Sequence, residues 1–154
     1  MSTPADDREA AMRAALDACL ATAETWLGWS GQARVGIGSV WTPHKVLRRI
    51  TDHFIDHLAQ VEALVAGLPA SDVNWQGRMT TFDSDWARFT EGDLREAKAR
   101  LGRLADIYLI RLRALGPVEY DRARGGEWTV RQITEHLIEA IGEYTAEAPV
   151  VVQT

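Results

Sequence analysis

The run TPHKVLRRITDHFIDHLAQVEALVA, residues 42–66, carries the clearest helical pattern of the chain. Thr42 can cap a helix, and the proline after it fits the first helical position. Gly67 and Pro69 lie just beyond the run and end it. Positions three and four residues apart share one face of a helix, so the run predicts a long amphipathic helix. Its inward stripe consists of Val46, Ile50, His53, His57, Val61 and Leu64.

A second apolar stripe, Leu47, Phe54, Leu58 and Val65, lies beside the first on the same predicted helix. A face this wide is typical of a helix that is buried against more than one neighbour. Three further helix patterns supply those neighbours, each with a threonine at its start and a glycine or proline near its end. They run from Thr3 to about Gly28, from Thr90 to Gly116 and from Thr129 to about Glu147.

The connections between these helices carry no alternating pattern typical of strands. Residues 29–40 are glycine-rich and predict a flexible turn. Residues 68–89 form a long polar connection, which is typical of a functional lid or a packed surface loop. We therefore expect an all-α protein, a four-helix bundle formed as a single domain by residues 1–154. The apolar tail, residues 150–152, predicts docking on the helices or a contact in a homodimer.

The composition excludes several classes of function. The 154 residues carry a formal net charge of −5, whereas a generic nucleic-acid binder presents a basic surface. No apolar run reaches the roughly 18 residues of a membrane span, and the polar N-terminus has no secretory layout. The single cysteine, Cys19, lies on an apolar stripe and predicts a buried thiol. We expect a cytoplasmic protein with no nucleic-acid or membrane partner, and basic pairs such as Arg48–Arg49 predict solvated helix faces.

Three of the four histidines fall on inward stripes. His53 and His57 lie one helical turn apart, and His136 lies on the inward stripe of the last helix, between Ile133 and Ala140. Three imidazoles that converge in the interior predict a divalent metal site with an open coordination position. The alternative is three core histidines that are satisfied by hydrogen bonds and bind no ion.

Other polar residues near these stripes are candidates to orient the histidines. A carboxylate or hydroxyl often fixes the ring of a ligating imidazole. The alternatives are ion pairs with arginines for the acids and ordinary core packing for the tyrosines. His44 is off the shared stripe and is predicted at the surface, and the sequence identifies no catalytic residue. The candidates are Glu139, Asp52, Asp56, Tyr108 and Tyr144.

Two helix starts also resemble each other, WTPHKVLRRITDHFIDH from Trp41 and WTVRQITEHLIEAIGEY from Trp128. Together they resemble the DinB-like superfamily of metal-binding four-helix-bundle proteins, which includes bacillithiol- and mycothiol-related transferases. The marks are a Trp–Thr helix start followed by a histidine, here Trp128 to His136, and an H-x-x-x-H pair followed by an amide, here His53 to Gln60. The order of the pair and the single histidine is reversed in this chain.

The resemblance implies a DinB/YfiT-like fold in which His53, His57 and His136 bind a divalent metal, zinc or nickel. It also implies a metal-dependent enzyme of the thiol-transferase or hydrolase type, acting on a small-molecule substrate with a low-molecular-weight thiol, and a homodimer. Two alternatives stay open. One is a metal-binding stress-response protein without catalysis, and the other is a helical interaction module whose histidines are incidental.

Overall fold

The computed structural model of the chain describes residues 4–36, 39–70 and 79–149. It is mostly helical, with five α-helices, one short 3₁₀ helix and one two-stranded sheet in the described part. The predicted cap Thr3 and the apolar tail, residues 150–152, lie outside the described residues. The elements are α1 (Pro4–Glu24), β1 (Arg34–Gly36), β2 (Ser39–Trp41), α2 (Pro43–Val65), a 3₁₀ helix (Asp83–Trp86), α3 (Glu91–Ala114), α4 (Pro117–Asp121) and α5 (Val130–Ala146).

The helix starts agree with the capping residues read from the sequence. The Thr42 side chain accepts a hydrogen bond from the Lys45 backbone N–H. Thr90 and Asp93 form a reciprocal capping box at α3, and Thr129 and Gln132 form another at α5. Each box satisfies backbone donors that a helix N-terminus leaves unpaired. Local chemistry therefore fixes where three of the long helices begin.

The four long helices contact one another in a closed cycle, α1–α3–α2–α5–α1. Ion pairs join Glu9 to Arg113 and Glu24 to Lys98, so α1 and α3 run antiparallel. Helices α2 and α3 run parallel, because the N-terminal half of each lines one cavity and Glu62 pairs with Arg111 further along. Helices α2 and α5 run antiparallel. The cycle brings the histidine stripe of α2 against α5.

The parallel arrangement of α2 and α3 explains the long connection between them. After α2 ends at Val65, the chain must return along the helix before α3 can start in the same direction. The returning segment, residues 79–89, lies beside the start of α2, where Arg48 donates to Thr80 O at 2.8 Å. A second Arg48 bond, of 2.7 Å, goes to the buried Asp85 carboxylate. Residues 79–89 of the predicted connection are packed on the surface, as one of the two alternatives expected, and residues 71–78 lie outside the described residues.

Four short elements were not predicted from the sequence: β1, β2, the 3₁₀ helix and α4. The expectation of no strands was wrong, because β1 and β2 pair antiparallel with Val35 opposite Val40. Each strand has three residues, too few for alternation to register. A Cβ on Gly36 would overlap the Glu147 carboxylate and lie 2.9 Å from Trp41 Cδ1, so glycine permits this close approach. The chain between α3 and α5 begins with the short helix α4, whose proline at its first turn favours that start.

Cys19 is buried, as predicted, and burial raises the pKa of its thiol above the ordinary value. A protonated, buried thiol is a poor nucleophile. None of the helices in the described residues has the length and hydropathy to cross a bilayer.

The basic pair Arg48–Arg49 does not form a solvated face. Arg49 is only 4% exposed, and Arg48 donates to a buried carboxylate. The neighbouring Lys45 is fully buried, and its ammonium donates to Ser39 Oγ, to Val40 O at 2.9 Å and to Thr81 Oγ1 at 2.7 Å. Lys45 thereby joins α2, β2 and the returning segment. Burial lowers the pKa of Lys45, and the nearby Arg48 charge lowers it further.

We expect Lys45→Met to lower the free energy of unfolding by about 2 kcal/mol, because buried acceptors lose their donor while the side-chain length is kept. The wild type has a second signature. Between the lowered pKa of the folded chain and the ordinary value of 10.5, the folded state binds fewer protons, so stability rises with pH. The variant should lack that rise. Urea unfolding at several pH values measures both effects.

The matched control is Lys98→Met. Lys98 lies on the surface of α3 and pairs with Glu24, so its replacement should change stability by less than about 1 kcal/mol. Equal effects of the two lysine variants would contradict the role assigned to Lys45.

Candidate metal centre

Three histidines from two helices meet at the contact between α2 and α5. His53 and His57 come from α2 and His136 comes from α5. The ring centroids lie 5.3 Å apart for His53 and His57, 5.6 Å for His53 and His136, and 5.0 Å for His57 and His136. One nitrogen of each ring lies within 4.8 Å of the other two. The three imidazoles are close enough to bind one metal ion.

The antiparallel pairing of α2 and α5 explains how a single histidine meets a pair. Going along α5 from His136 to Tyr144, the contacts on α2 move back from His57 to His53 and Arg49. His136 therefore lies level with the turn between His53 and His57. The reversed order of pair and single histidine does not prevent this convergence, since each helix presents its histidines toward the other.

Gln60 fixes the tautomer of His57. Its side-chain oxygen lies 3.0 Å from His57 Nδ1, and an amide oxygen can only accept, so Nδ1 carries the proton. The lone pair of the neutral ring is then on Nε2, the other nitrogen. A hydrogen bond on one ring nitrogen that leaves the second for an ion is the usual arrangement of a metal-binding histidine.

Aromatic rings close one side of the histidine centre. The Tyr144 ring packs edge-on against His53 at 5.2 Å, and Trp41 packs behind Tyr144 at 5.3 Å. The Arg49 guanidinium lies 4.9 Å from the centre of the Tyr144 ring. Because His53 and Trp41 are 3% and 0% exposed, this wall keeps water away from one side of the centre.

The other side of the centre opens to a groove on α5. The groove has a volume of about 300 Å³ and is lined by Trp128, Gln132, Glu135, His136 and Glu139. The Trp128 ring lies 5.2 Å from the His136 ring and is 47% exposed. His53 and His57 lie behind His136 and are nearly buried. A small molecule would therefore approach the three histidines from the His136 side.

Of the five residues proposed to orient the histidines, two lie beside the centre and Tyr108 does not. Tyr144 contacts His53, and Glu139 lines the groove with His136. Tyr108 instead packs against Phe54, and its hydroxyl lies 2.9 Å from Thr134 Oγ1. The Thr134 proton goes to Val130 O, so Tyr108 donates.

Burial raises the pKa of Tyr108, as expected for a core tyrosine. The two acids next to the paired histidines, Asp52 and Asp56, are half-buried on α2. Asp52 lines a different cavity, of about 340 Å³, between the first halves of α2 and α3. His44, predicted at the surface, lines that cavity too and is half-buried against Phe89. Charged residues of both signs line it and pair with one another, as Arg48 does with Asp85.

Three residues near the centre were not identified as site residues from the sequence. Arg49 is one helical turn before His53, and that spacing could have placed it beside the inward stripe. Trp128 and Trp41 were used only as marks of helix starts. A tryptophan directly before a helix cap can pack on the first turns of the helix, and this holds for Trp128 against His136.

The donor set fits a divalent transition metal. Neutral imidazole suits zinc, nickel and related ions. Four-coordinate zinc with Zn–N bonds of about 2.0–2.1 Å requires ligand nitrogens roughly 3.3 Å apart. The three histidine nitrogens lie within 4.8 Å of one another. Side-chain rotations that move each nitrogen by about an ångström bring them to the spacing of a zinc site. Three protein ligands would leave one coordination position open for water or a substrate atom.

The candidate metal centre joins two helices that are distant in sequence. Its central element is the set of three histidine nitrogens shared by α2 and α5. No family model, curated protein or solved structure matches this chain.

Proposed function

We propose that this chain is a metal-dependent enzyme of the DinB-like type, with a divalent zinc or nickel ion held by His53, His57 and His136. The observation that carries the proposal is the approach of one nitrogen from each ring to within 4.8 Å of the other two. The proposed architecture is a DinB-like four-helix bundle formed by α1, α2, α3 and α5, and the closed cycle of contacts among these helices supports it.

The proposed reaction class is thiol transfer or hydrolysis on a small-molecule substrate. A divalent ion with three neutral ligands and an open position supplies Lewis-acid activation of water or of a thiol. Gln60 holds the His57 ring in the tautomer that binds metal, and Tyr144 and Trp41 exclude water behind His53. The groove beside His136 gives a substrate access, which favours catalysis over storage of the ion.

Metal analysis tests the proposal. Protein purified without a histidine tag should bind one divalent ion per chain, and His53→Ala or His136→Ala should each weaken binding by about 100-fold or more, because two imidazoles hold a metal far less well than three. Competition against a chromogenic chelator measures the affinity. His44→Ala is the matched control, because His44 lies on α2 but contacts Phe89 and Ala87 O instead of the centre.

Equal metal affinity in the wild type and in His53→Ala would overturn the metal site. If the site holds, turnover of a thiol with an electrophile, or hydrolysis of an ester, should depend on the ion and stop on chelation. A protein that binds the ion at the three histidines but remains inactive in its apo and loaded forms toward both substrate classes would favour the non-catalytic metal-binding role.

A further inference from the structure

We propose that the molecule that reaches the metal centre carries a positive charge beside its metal-binding atom. This inference rests on the proposed function, because it concerns the groove through which a ligand would approach the three histidines. It names a substrate class, a cationic small molecule such as an amine or a quaternary ammonium compound that ends in a thiol or another donor.

A ligand can reach the metal centre from the side of His136. His53 and His57 are 3% and 5% exposed, and the wall formed by Tyr144 and Trp41 closes the side of His53. His136 is the one of the three histidines that lines the groove. A ligand atom that bonds to the ion therefore leaves the rest of its molecule in this groove.

The groove beside His136 is lined by acidic residues. Two of the five lining residues are carboxylates, Glu135 and Glu139, and none is lysine or arginine. Glu135 pairs with Arg8 of α1, which offsets its charge. Glu139 is exposed, one helical turn after His136, and faces the groove with it. Glu139 therefore makes the groove favourable for a cation and unfavourable for an anion.

Trp128 presents an exposed aromatic ring to the groove. Trp128 lies at the other end of the groove lining and is 47% exposed although its ring contacts His136. Tryptophan is the side chain that attracts a cation most strongly through its ring face. An aromatic ring together with a carboxylate is a typical recognition pair for ammonium groups, which gain from both.

The Arg49 guanidinium also packs beside the histidine centre, against the Tyr144 ring, and it would favour the opposite ligand charge. However, Arg49 is 4% exposed, lies against the Tyr144 ring and does not line the groove. The charge that a ligand in the groove meets directly is therefore that of Glu139.

The first experiment uses cobalt(II) in place of the native metal and measures thiol binding by the sulfur-to-cobalt absorption band. The probes are thiocholine, which is cationic and cannot chelate through its quaternary nitrogen, and 2-mercaptoethanol, which is neutral. We expect Glu139→Gln to lower the affinity ratio of thiocholine to mercaptoethanol by about fivefold, because a charge pair at about 6 Å near the surface is lost. Trp128→Leu should lower the ratio by about threefold.

Glu143→Gln is the matched control. Glu143 is an exposed carboxylate one turn further along α5 and does not line the groove. Its replacement should change the ratio by less than about twofold, since the charge is further away and screened by solvent. A ratio that is unchanged in Glu139→Gln, or one that falls equally in Glu139→Gln and Glu143→Gln, would overturn the inference.

A second experiment separates failure of this inference from failure of the metal site. In metal-free protein, choline should shift the Trp128 indole resonance, assigned with Trp128→Phe, and the neutral isostere 3,3-dimethylbutan-1-ol should shift it much less. Absence of cobalt binding combined with a choline-specific shift would reject the metal site and keep the cationic groove. Cobalt binding with equal shifts from choline and the alcohol would keep the metal site and reject the cationic groove.

Discussion

Zinc should raise the midpoint of thermal unfolding of the metal-free protein by about 10 °C when the free ion is near 1,000 times its dissociation constant. Binding to the folded state alone at that ratio stabilises it by about 4 kcal/mol. For a chain of this size each kcal/mol moves the midpoint by about 2–4 °C. The size of the shift is set by the ratio of free zinc to its dissociation constant, and the ion would bind histidines that only the folded state brings together from α2 and α5.

Two histidine variants test whether zinc stabilises the protein through the three histidines. His136→Ala removes the only ligand from α5, so zinc should shift its midpoint by less than about 3 °C. His44→Ala keeps all three ligands and should keep the full shift, whatever its own stability. Differential scanning calorimetry with and without a chelator gives each shift.

Hydrogen exchange gives the location of the same effect. Zinc should slow amide exchange in the turns of α2 and α5 that carry the histidines more than in the middle of α3, because only those turns are joined directly. An equal shift in His136→Ala and in the wild type would mean that the ion binds elsewhere, and the histidine centre would lose its assigned role.

The convergence of the histidines could be predicted because its causes are local. The caps at Thr42 and Thr129 set where α2 and α5 begin. Once the starts are fixed, the helical period places His53, His57 and His136 on inward faces. The direction in which two inward faces meet was left open in the sequence, and here the antiparallel pairing brings the rings within reach.

The surroundings of the histidines could not be predicted in the same way, because they depend on contacts between distant segments. Lys45 and Arg49 carry charges of a kind that is usually exposed, yet both are buried. For Lys45, the acceptors that make burial tolerable come from β2 and from Thr81. Neither a three-residue strand nor a returning loop has a periodicity that places such acceptors in advance.

The exposure of Trp128 in the groove could not be predicted from the sequence either. Trp128 precedes a helix cap, and a large apolar residue there is often packed on the helix that follows. Its ring does contact His136, but nearly half of it stays exposed. Exposure depends on which neighbours are missing, and a helical pattern contains no information about missing neighbours. The sequence therefore indicated the ligands but not the side from which they are reached.

Trp41→Ala should lower the free energy of unfolding of the metal-free protein by about 4 kcal/mol, the scale of deleting a fully buried aromatic ring. Trp41 is 0% exposed, and its ring contacts Tyr144 at 5.3 Å while the Lys45 ammonium lies 5.1 Å from its centre. Removing the Trp41 ring leaves a cavity among α2, α5 and the sheet formed by β1 and β2. Urea unfolding of the metal-free protein measures the change.

The matched control is Trp86→Ala. Trp86 is 42% exposed at the end of the 3₁₀ helix, so its truncation should change stability by about 1 kcal/mol or less. Trp41→Phe should retain most of the wild-type stability, because it keeps an aromatic ring against Tyr144. Similar losses in Trp41→Ala and Trp86→Ala would show that the wall behind the histidines contributes little to folding.

The same substitution links the fold to the site, and this link is the stronger test. Tyr144 lies between Trp41 and His53, so the cavity left by Trp41→Ala gives the tyrosine room to move away from the imidazole. Metal affinity should then fall by about 10-fold, the scale seen when a supporting neighbour of a ligand is lost. Trp86→Ala should leave the affinity unchanged. A variant that loses stability but keeps full metal affinity would mean that His53 is held in place by α2 alone, without the aromatic wall.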